Sequence, residues 1–186
     1  MIMHTPEQAS MDDALVVEYE ARLAAVRYES VGLVEALILS PQMDEHISVP
    51  TLRVLPESGV EGQYPGKQWW KGRRVPGRQI SALNAETLDA LEIPYPVPGD
   101  NLIIRGIDLS RFEPGDTLRV GDALLRVTPT PHRPCAKFAA RTSPTKFQAI
   151  VPGKRRGILL DALAPATIRL GAPVERILLT GPTAVL

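Results

Sequence analysis

The amino-acid sequence predicts a mainly β (α+β) protein, a barrel or sandwich of short antiparallel strands with an N-terminal helix. Three observations carry this. Eighteen prolines and fourteen glycines in 186 residues favour many short elements and turns over a helical bundle. From Gly32 onward, short apolar runs recur between Gly and Pro turns, the texture of half-buried strands. Alternation in Thr117-Leu-Arg-Val120 and Leu125-Arg-Val127 implies one buried and one wet face.

The elements follow in chain order. Residues 10–29 read as a helix because Leu15, Tyr19, Leu23 and Val26 recur at helical spacing, with Val16 beside them. Ser10 followed by Asp13 resembles its N-terminal cap. The run LVEALILS between Gly32 and Pro41 and the run TLRVL are strands. A third strand spans about 78–82, after which Asn84 caps a short helix, AETLDAL. Glu113-Pro-Gly-Asp116 is a turn: Pro114 fixes φ and Gly115 permits a positive one. After Pro129 the chain reads as a long, basic, exposed loop up to Gly157, with one helical turn near 136–141. ILLDAL, TIRL and VERILLT are the last strands.

Composition narrows the function classes. Apolar residues are 44% and charged residues 23%, ordinary for a soluble globular chain. No apolar run approaches the roughly 18 residues of a membrane span, and the N-terminus has no secretory pattern. A single cysteine forms no internal disulfide, so a reducing cytoplasm is expected. No Walker loop, dinucleotide fingerprint or nucleophile elbow occurs. His4, His46 and His132 show no metal-ligand spacing.

The net charge of zero conceals segregation. Residues 1–61 hold eleven acids against three bases, and residues 62–186 hold ten acids against eighteen bases. No acid falls between 123 and 160, which contain Arg126, Arg133, Lys137, Arg141, Lys146, Lys154, Arg155 and Arg156; a second basic run holds Lys67, Lys71, Arg73, Arg74 and Arg78. Two readings stand side by side. One is electrostatic complement to the acidic N-terminal part, within the chain or across a homodimer. The other is an anion site, with phosphate the natural ligand.

Cys135 lies in Pro131-His-Arg-Pro-Cys-Ala-Lys137. His132, Arg133 and Lys137 favour the thiolate, which is both nucleophile and metal ligand. A lone cysteine is commonly a small buried hydrophobe, but a basic, proline-rich loop suits function better than core. Trp69 and Trp70 stand between Lys67 and Lys71, either as core anchors or as a stacking platform for a flat ligand.

The order of these motifs resembles the MOSC domain family, named for the C-terminal domain of molybdenum cofactor sulfurase. Gly32-Leu-Val-Glu-Ala-Leu-Ile-Leu-Ser-Pro41 is similar to its opening strand. Ser58-Gly-Val-Glu-Gly-Gln63 stands where the family has Gly-x-x-Gly-Asp, with Gln63 in place of the acid. Arg78-Gln-Ile-Ser-Ala-Leu-Asn-Ala-Glu86 resembles its strand-then-helix segment. Pro98-Gly-Asp-Asn-Leu-Ile-Ile-Arg-Gly-Ile-Asp-Leu109 is similar to its Gly-Glu-Asn-Leu stretch, with Asp100 for Glu. Pro114-Gly-Asp-Thr-Leu-Arg-Val-Gly121, Pro134-Cys135, Arg156-Gly-Ile-Leu-Leu-Asp161 and Ile168-Arg-Leu-Gly171 complete the set, over about residues 32–177.

The resemblance implies a MOSC-type antiparallel β-barrel with few short helices, residues 32–186, and an N-terminal helical extension, residues 1–31. It implies that Cys135 is the catalytic residue and the molybdenum ligand, fitting a soft thiolate. Arg73, Arg74, Arg78, Asn101, His132, Arg133, Lys137 and Arg141 would bind the molybdenum cofactor, a pterin-bound metal with a phosphate. The expected activity is a molybdenum-dependent oxidoreductase reducing N-hydroxylated compounds, or a sulfur-transfer protein. The alternative is a non-catalytic sulfur carrier, or a degenerate barrel serving as a binding module. Expected partners are a small-molecule substrate and a separate electron-donor protein or sulfur donor, with no nucleic acid and no membrane.

Overall fold

The computed structural model describes residues 6–70 and 73–177, with side chains described over 10–66 and 75–177. In chain order the elements are α1 (Pro6–Ala25), β1 (Gly32–Leu39), β2 (Ile47–Ser48), β3 (Thr51–Leu55), β4 (Gly59–Val60), β5 (Trp69–Trp70), β6 (Arg73–Arg74), β7 (Ile80–Asn84), α2 (Ala85–Ala90), β8 (Leu102–Arg105), β9 (Thr117–Val120), β10 (Ala123–Val127), α3 (Ala136–Arg141), α4 (Pro144–Ile150), β11 (Ile158–Ala162), β12 (Ala166–Arg169) and β13 (Pro173–Ile177).

Seven of these strands close into a barrel in the order β13-β9-β10-β11-β7-β8-β1. Closure is made by β1 against β13, with Gly32 opposite Val174 and Leu33 opposite Pro173. Closing the sheet removes free edges from the ring. Inward positions alternate as the sequence leads one to expect: Val34, Leu102, Ile104, Leu118, Val120, Leu125 and Leu160 share one buried core. A small sheet, β12-β3-β4, adds Leu52, Val54, Val60 and Ile168 to that core.

One pair departs from the antiparallel expectation. β7 and β8 run parallel, with Ala82 opposite Leu102 and Asn84 opposite Ile104. A parallel neighbour requires a crossover, and α2 with the turns after it supplies one. Strands covered on both faces read as continuous apolar runs, and all five residues of β7 are buried. Their outward side chains, Leu83 and Ile103, join a second core with Leu88, Leu91, Tyr19, Leu23, Phe138, Ala149 and Ile150. That second core is the helical layer on the barrel's flank, and α1 is part of it.

Three local expectations are corrected. The first helix begins at Pro6 and ends at Ala25, so Ser10 and Asp13 lie inside it and cap nothing. Past its end Arg27 Nη1 donates to the carbonyls of Ala24, Ala25 and Val26 at 3.1, 2.9 and 2.9 Å, satisfying acceptors that the helix leaves without an intrahelical partner. Asn84 holds the N-cap position of α2 but its side chain does not cap. Its Nδ2 donates to the Ile104 and Ile107 carbonyls at 3.3 and 2.8 Å, and its Oδ1 accepts from Leu109 N at 3.1 Å. These are backbone groups where β8 ends, and buried polar groups of this kind need partners. The third correction is residues 129–157, which are not an open loop. They fold into α3 and α4, whose Phe138, Ala149 and Ile150 are buried in the second core.

Candidate functional site

The turn at residues 98–101 enters β8 and is the hub of the site. Asn101 is buried, and its Oδ1 accepts from Ser81 N at 3.2 Å and Ser81 Oγ at 3.4 Å. Its Nδ2 donates to Ile38 O and to Gln63 Oε1, each at 3.1 Å. Gln63 Oε1 also accepts from Ser40 N at 3.2 Å, while its Nε2 is a buried donor without a hydrogen-bond partner. Ser40 Oγ lies 2.7 Å from His46 Nδ1. The His46 ring in turn packs on Gly99, where a Cβ would fall 2.5 Å from its Cε1 and the backbone has φ +76°. Both facts demand glycine there.

Asp100 is 1% exposed and sits between the Arg156 guanidinium and the His132 ring. Arg156 Nη1 donates to its Oδ2 at 2.6 Å, and His132 Nε2 lies 3.6 Å from its Oδ1. The Arg156 guanidinium also stacks over the Phe138 ring at 5.0 Å. A buried arginine of this kind is tolerable because it is both paired and stacked. Its Nε remains a buried donor without a hydrogen-bond partner.

A second anchor holds the far end of α3. Arg141 Nη1 donates to Pro98 O at 3.3 Å, and Arg141 Nη2 donates to Asp44 Oδ1. Lys137 Nζ is 3.6 Å from the same oxygen. The hydrogen bond from Arg141 holds the Asp44 carboxyl below the ordinary carboxylate range, with Lys137 adding to the effect. At the loop's start, Thr128 Oγ1 donates to Gly77 O at 3.0 Å and Thr130 Oγ1 to Pro76 O at 3.1 Å. These bonds lay the segment carrying Arg78 beside it.

Cys135 lies between His132 and α3, at the N-cap position of that helix, and is exposed. Its carbonyl accepts from Ala139 N at 3.1 Å. The geometry therefore presents a thiol to solvent on a segment pinned on both sides to the 98–101 turn. Among the described residues no group of three His, Cys, Asp or Glu could hold a metal ion. Any metal here takes at most two ligands of that kind from the described chain and must bring the rest.

The candidate residues separate as follows. His132, Lys137, Arg141 and Asn101 are gathered around the 98–101 turn. Arg133 is exposed and makes no hydrogen bond or ion pair among the described residues, and Arg78 is exposed on the adjoining segment. Arg73 and Arg74, like Lys67, Trp69, Trp70 and Lys71, have side chains outside the described residues. The basic stretch is less free than its charge suggests. Arg156 pairs with Asp100, Lys154 with Glu113 at 2.8 Å, and Lys146 donates to Glu92 O at 3.0 Å. Ser40, His46 and Arg156 were not legible as site residues. Only the Pro98-Gly-Asp-Asn101 motif signalled a shared location, and nothing local marks which distant groups meet it.

No helix among the described residues is long and apolar enough to cross a membrane. No curated protein matches the chain. Solved structures do. The YUAD protein from Bacillus subtilis superposes with a TM-score of 0.62 at 17% identity, covering 77% of this chain and 94% of its own. YiiM from Geobacillus stearothermophilus gives 0.60 at 18% identity, covering 79% and 75%. YiiM from Escherichia coli gives 0.56 at 22% identity, covering 81% and 72%. At such identities the likeness shows the fold. Residues 73–175 match the MOSC domain family, a span that holds the hub turn, the Cys135 segment, five of the seven barrel strands and the start of β13. The chain belongs to the MOSC domain family.

Proposed function

We propose that this protein binds a pterin-type molybdenum cofactor with Cys135 as the protein's ligand to the metal. The carrying observation is the exposed Cys135 thiol on a segment fixed at His132 and Arg141. The donor set fits the group. One thiolate is a soft ligand suited to a metal that arrives with its own organic ligand. Arg133, Lys137 and Arg141 supply cations for a phosphate. Gln63 Nε2 and Arg156 Nε are buried donors with no hydrogen-bond partner, and such groups call for one.

When bound, the cofactor supplies the two-electron chemistry that reduces N-hydroxylated compounds. The chain's own part is placement. Asp100 fixes His132, Arg141 and Asp44 fix the other end of α3, and Asn101 ties the turn to β1 and β7. A substrate would approach from the solvent side, where Cys135 is exposed, and a separate protein would donate electrons.

A second reading is a sulfur carrier, in which Cys135 holds a persulfide. The exposed, free Cys135 thiol supports it as well, since a persulfide needs only the thiol. Metal analysis of protein produced in a host that makes molybdenum cofactor separates the two. Molybdenum near one equivalent supports the first reading. Cyanide-labile sulfur without molybdenum supports the second. Neither would leave the barrel as a binding module.

A further inference from the structure

Asp100 precedes β8, and residues 107–112 follow it. At that opposite end of the strand the structure holds a half-open cavity of about 550 Å³, lined by the end of α1 and the residues after it, by residues 107–112, by Gly153 with Arg155, and by Arg176. None of its lining residues takes part in the Cys135 site. Its volume lies in the range of small-molecule sites.

The wall is part apolar and part cationic. Leu23, Val26, Ile107 and Phe112 line it with the ring of Tyr28. Four guanidinium groups, those of Arg27, Arg111, Arg155 and Arg176, face two carboxylates, Glu29 and Asp108. Asp108 is already engaged, accepting from Ser110 N at 3.0 Å and Ser110 Oγ at 2.6 Å, with Arg111 Nε 3.2 Å away. Arg176 donates to Asp116 at 2.5 Å and stacks on Phe112 at 5.0 Å. The other two have no carboxylate partner. Arg27 donates only to helix-end carbonyls through Nη1. Arg155 makes no hydrogen bond or ion pair among the described residues. The cavity thus carries an excess of positive charge, with the Arg155 guanidinium and the Nε and Nη2 groups of Arg27 left for a planar or tetrahedral anion. A bare anion would leave the apolar wall unfilled.

We propose that this cavity is a second binding site, for a small aromatic acid whose carboxylate or phosphate sits on Arg155 and Arg27 and whose ring lies against Tyr28 and Phe112. Tyr28 lines the wall half-buried and Phe112 lines it beneath Arg176, and aromatic side chains pack against a flat ring by face or by edge. Arg155 is the specificity-determining residue, because it alone of the four arginines has no hydrogen bond or ion pair of its own.

The test is an amide NMR titration of the full chain with phenyl phosphate, benzoate, inorganic phosphate and benzyl alcohol in turn. Phenyl phosphate or benzoate is expected to shift amides in residues 26–29 and 107–112, following a saturable single-site isotherm. The stronger of the two identifies the head group. Arg155→Gln should weaken that binding about tenfold, the scale of a lost charge-assisted contact, while Arg141→Gln at the other site leaves it unchanged. Arg27→Gln should weaken it comparably, with helicity checked by circular dichroism. Absence of saturation up to about 10 mM, the fragment range of affinity, would overturn the proposal. So would shifts confined to the Cys135 segment, inorganic phosphate binding as tightly as phenyl phosphate, or an Arg155→Gln variant that binds like the parent. None of these outcomes bears on the cofactor reading, which concerns the other end of β8.

Discussion

The Cys135 segment is held by two carboxylates of opposite character. Asp100 is buried at 1% exposure and faces Arg156, itself 6% exposed. Asp44 is exposed on the loop between β1 and β2 and faces Lys137 and Arg141. The same chemical pairing has different consequences in the two places. In the buried pair, removing one partner leaves an uncompensated charge in a poor solvent for it. In the exposed pair, water and salt replace whatever is removed. Asp100 therefore holds the fold of the segment together, and Asp44 adjusts only its edge.

The largest expected effect is at the buried pair. Asp100→Asn should cost about 3–5 kcal/mol of stability, the usual penalty for orphaning a buried ion, read by urea denaturation. Replacing both partners at once, Asp100→Asn with Arg156→Met, should restore part of that loss. A double variant as unstable as the two singles added together would break the argument that charge burial is the cause. Next in size is Phe138→Ala, which removes a fully buried ring from the helical core and the face under Arg156. It should cost about 3–5 kcal/mol as a core truncation and should weaken the packing of α3 and α4 on the barrel. Protease sensitivity confined to residues 129–157 would show the loss is local.

Smaller is Gly99→Ala. The positive φ of +76° and the His46 ring 2.5 Å from the added carbon predict a loss of about 1–3 kcal/mol from backbone strain and displacement of His46. Smallest is Asp44→Asn. Because its carboxyl is held below the ordinary range by Arg141 and then Lys137, its contribution is present above the unfolded carboxylate value and disappears as pH falls through the folded one. The variant should match the parent in acid and differ from it only slightly at neutral pH, less still in high salt. A neutral-pH loss as large as that of Asp100→Asn would erase the distinction between the two anchors.

The barrel was legible because its signals are local. Thr117–Val120 and Ala123–Val127 alternate at period two, and the Pro114-Gly115 and Gly121-Asp122 turns bound them. The β7–β8 parallel pair was less so: a short apolar run does not reveal whether its neighbour runs with it or against it. The α4 helix carried a signal that composition obscured. Ser143 caps it, accepting from Lys146 N at 3.1 Å, with Pro144 at the first position, an ordinary helix start inside a stretch whose charge and prolines suggest a loop. In the site, Cys135 and Asn101 were legible from type and motif. The buried role of Arg156 was not, since eight cations in one acid-free run look alike until the fold decides which one meets Asp100.

The most direct test of the central claim, that Cys135 is the residue the two anchors exist to present, is loading of the Cys135→Ser variant. Parent and variant are expressed side by side in a host that makes molybdenum cofactor, and each is assayed for molybdenum and for cyanide-labile sulfur. The account predicts that the parent carries one of the two and the variant neither, with unchanged circular dichroism and unfolding midpoint. A variant that loads like the parent would contradict it.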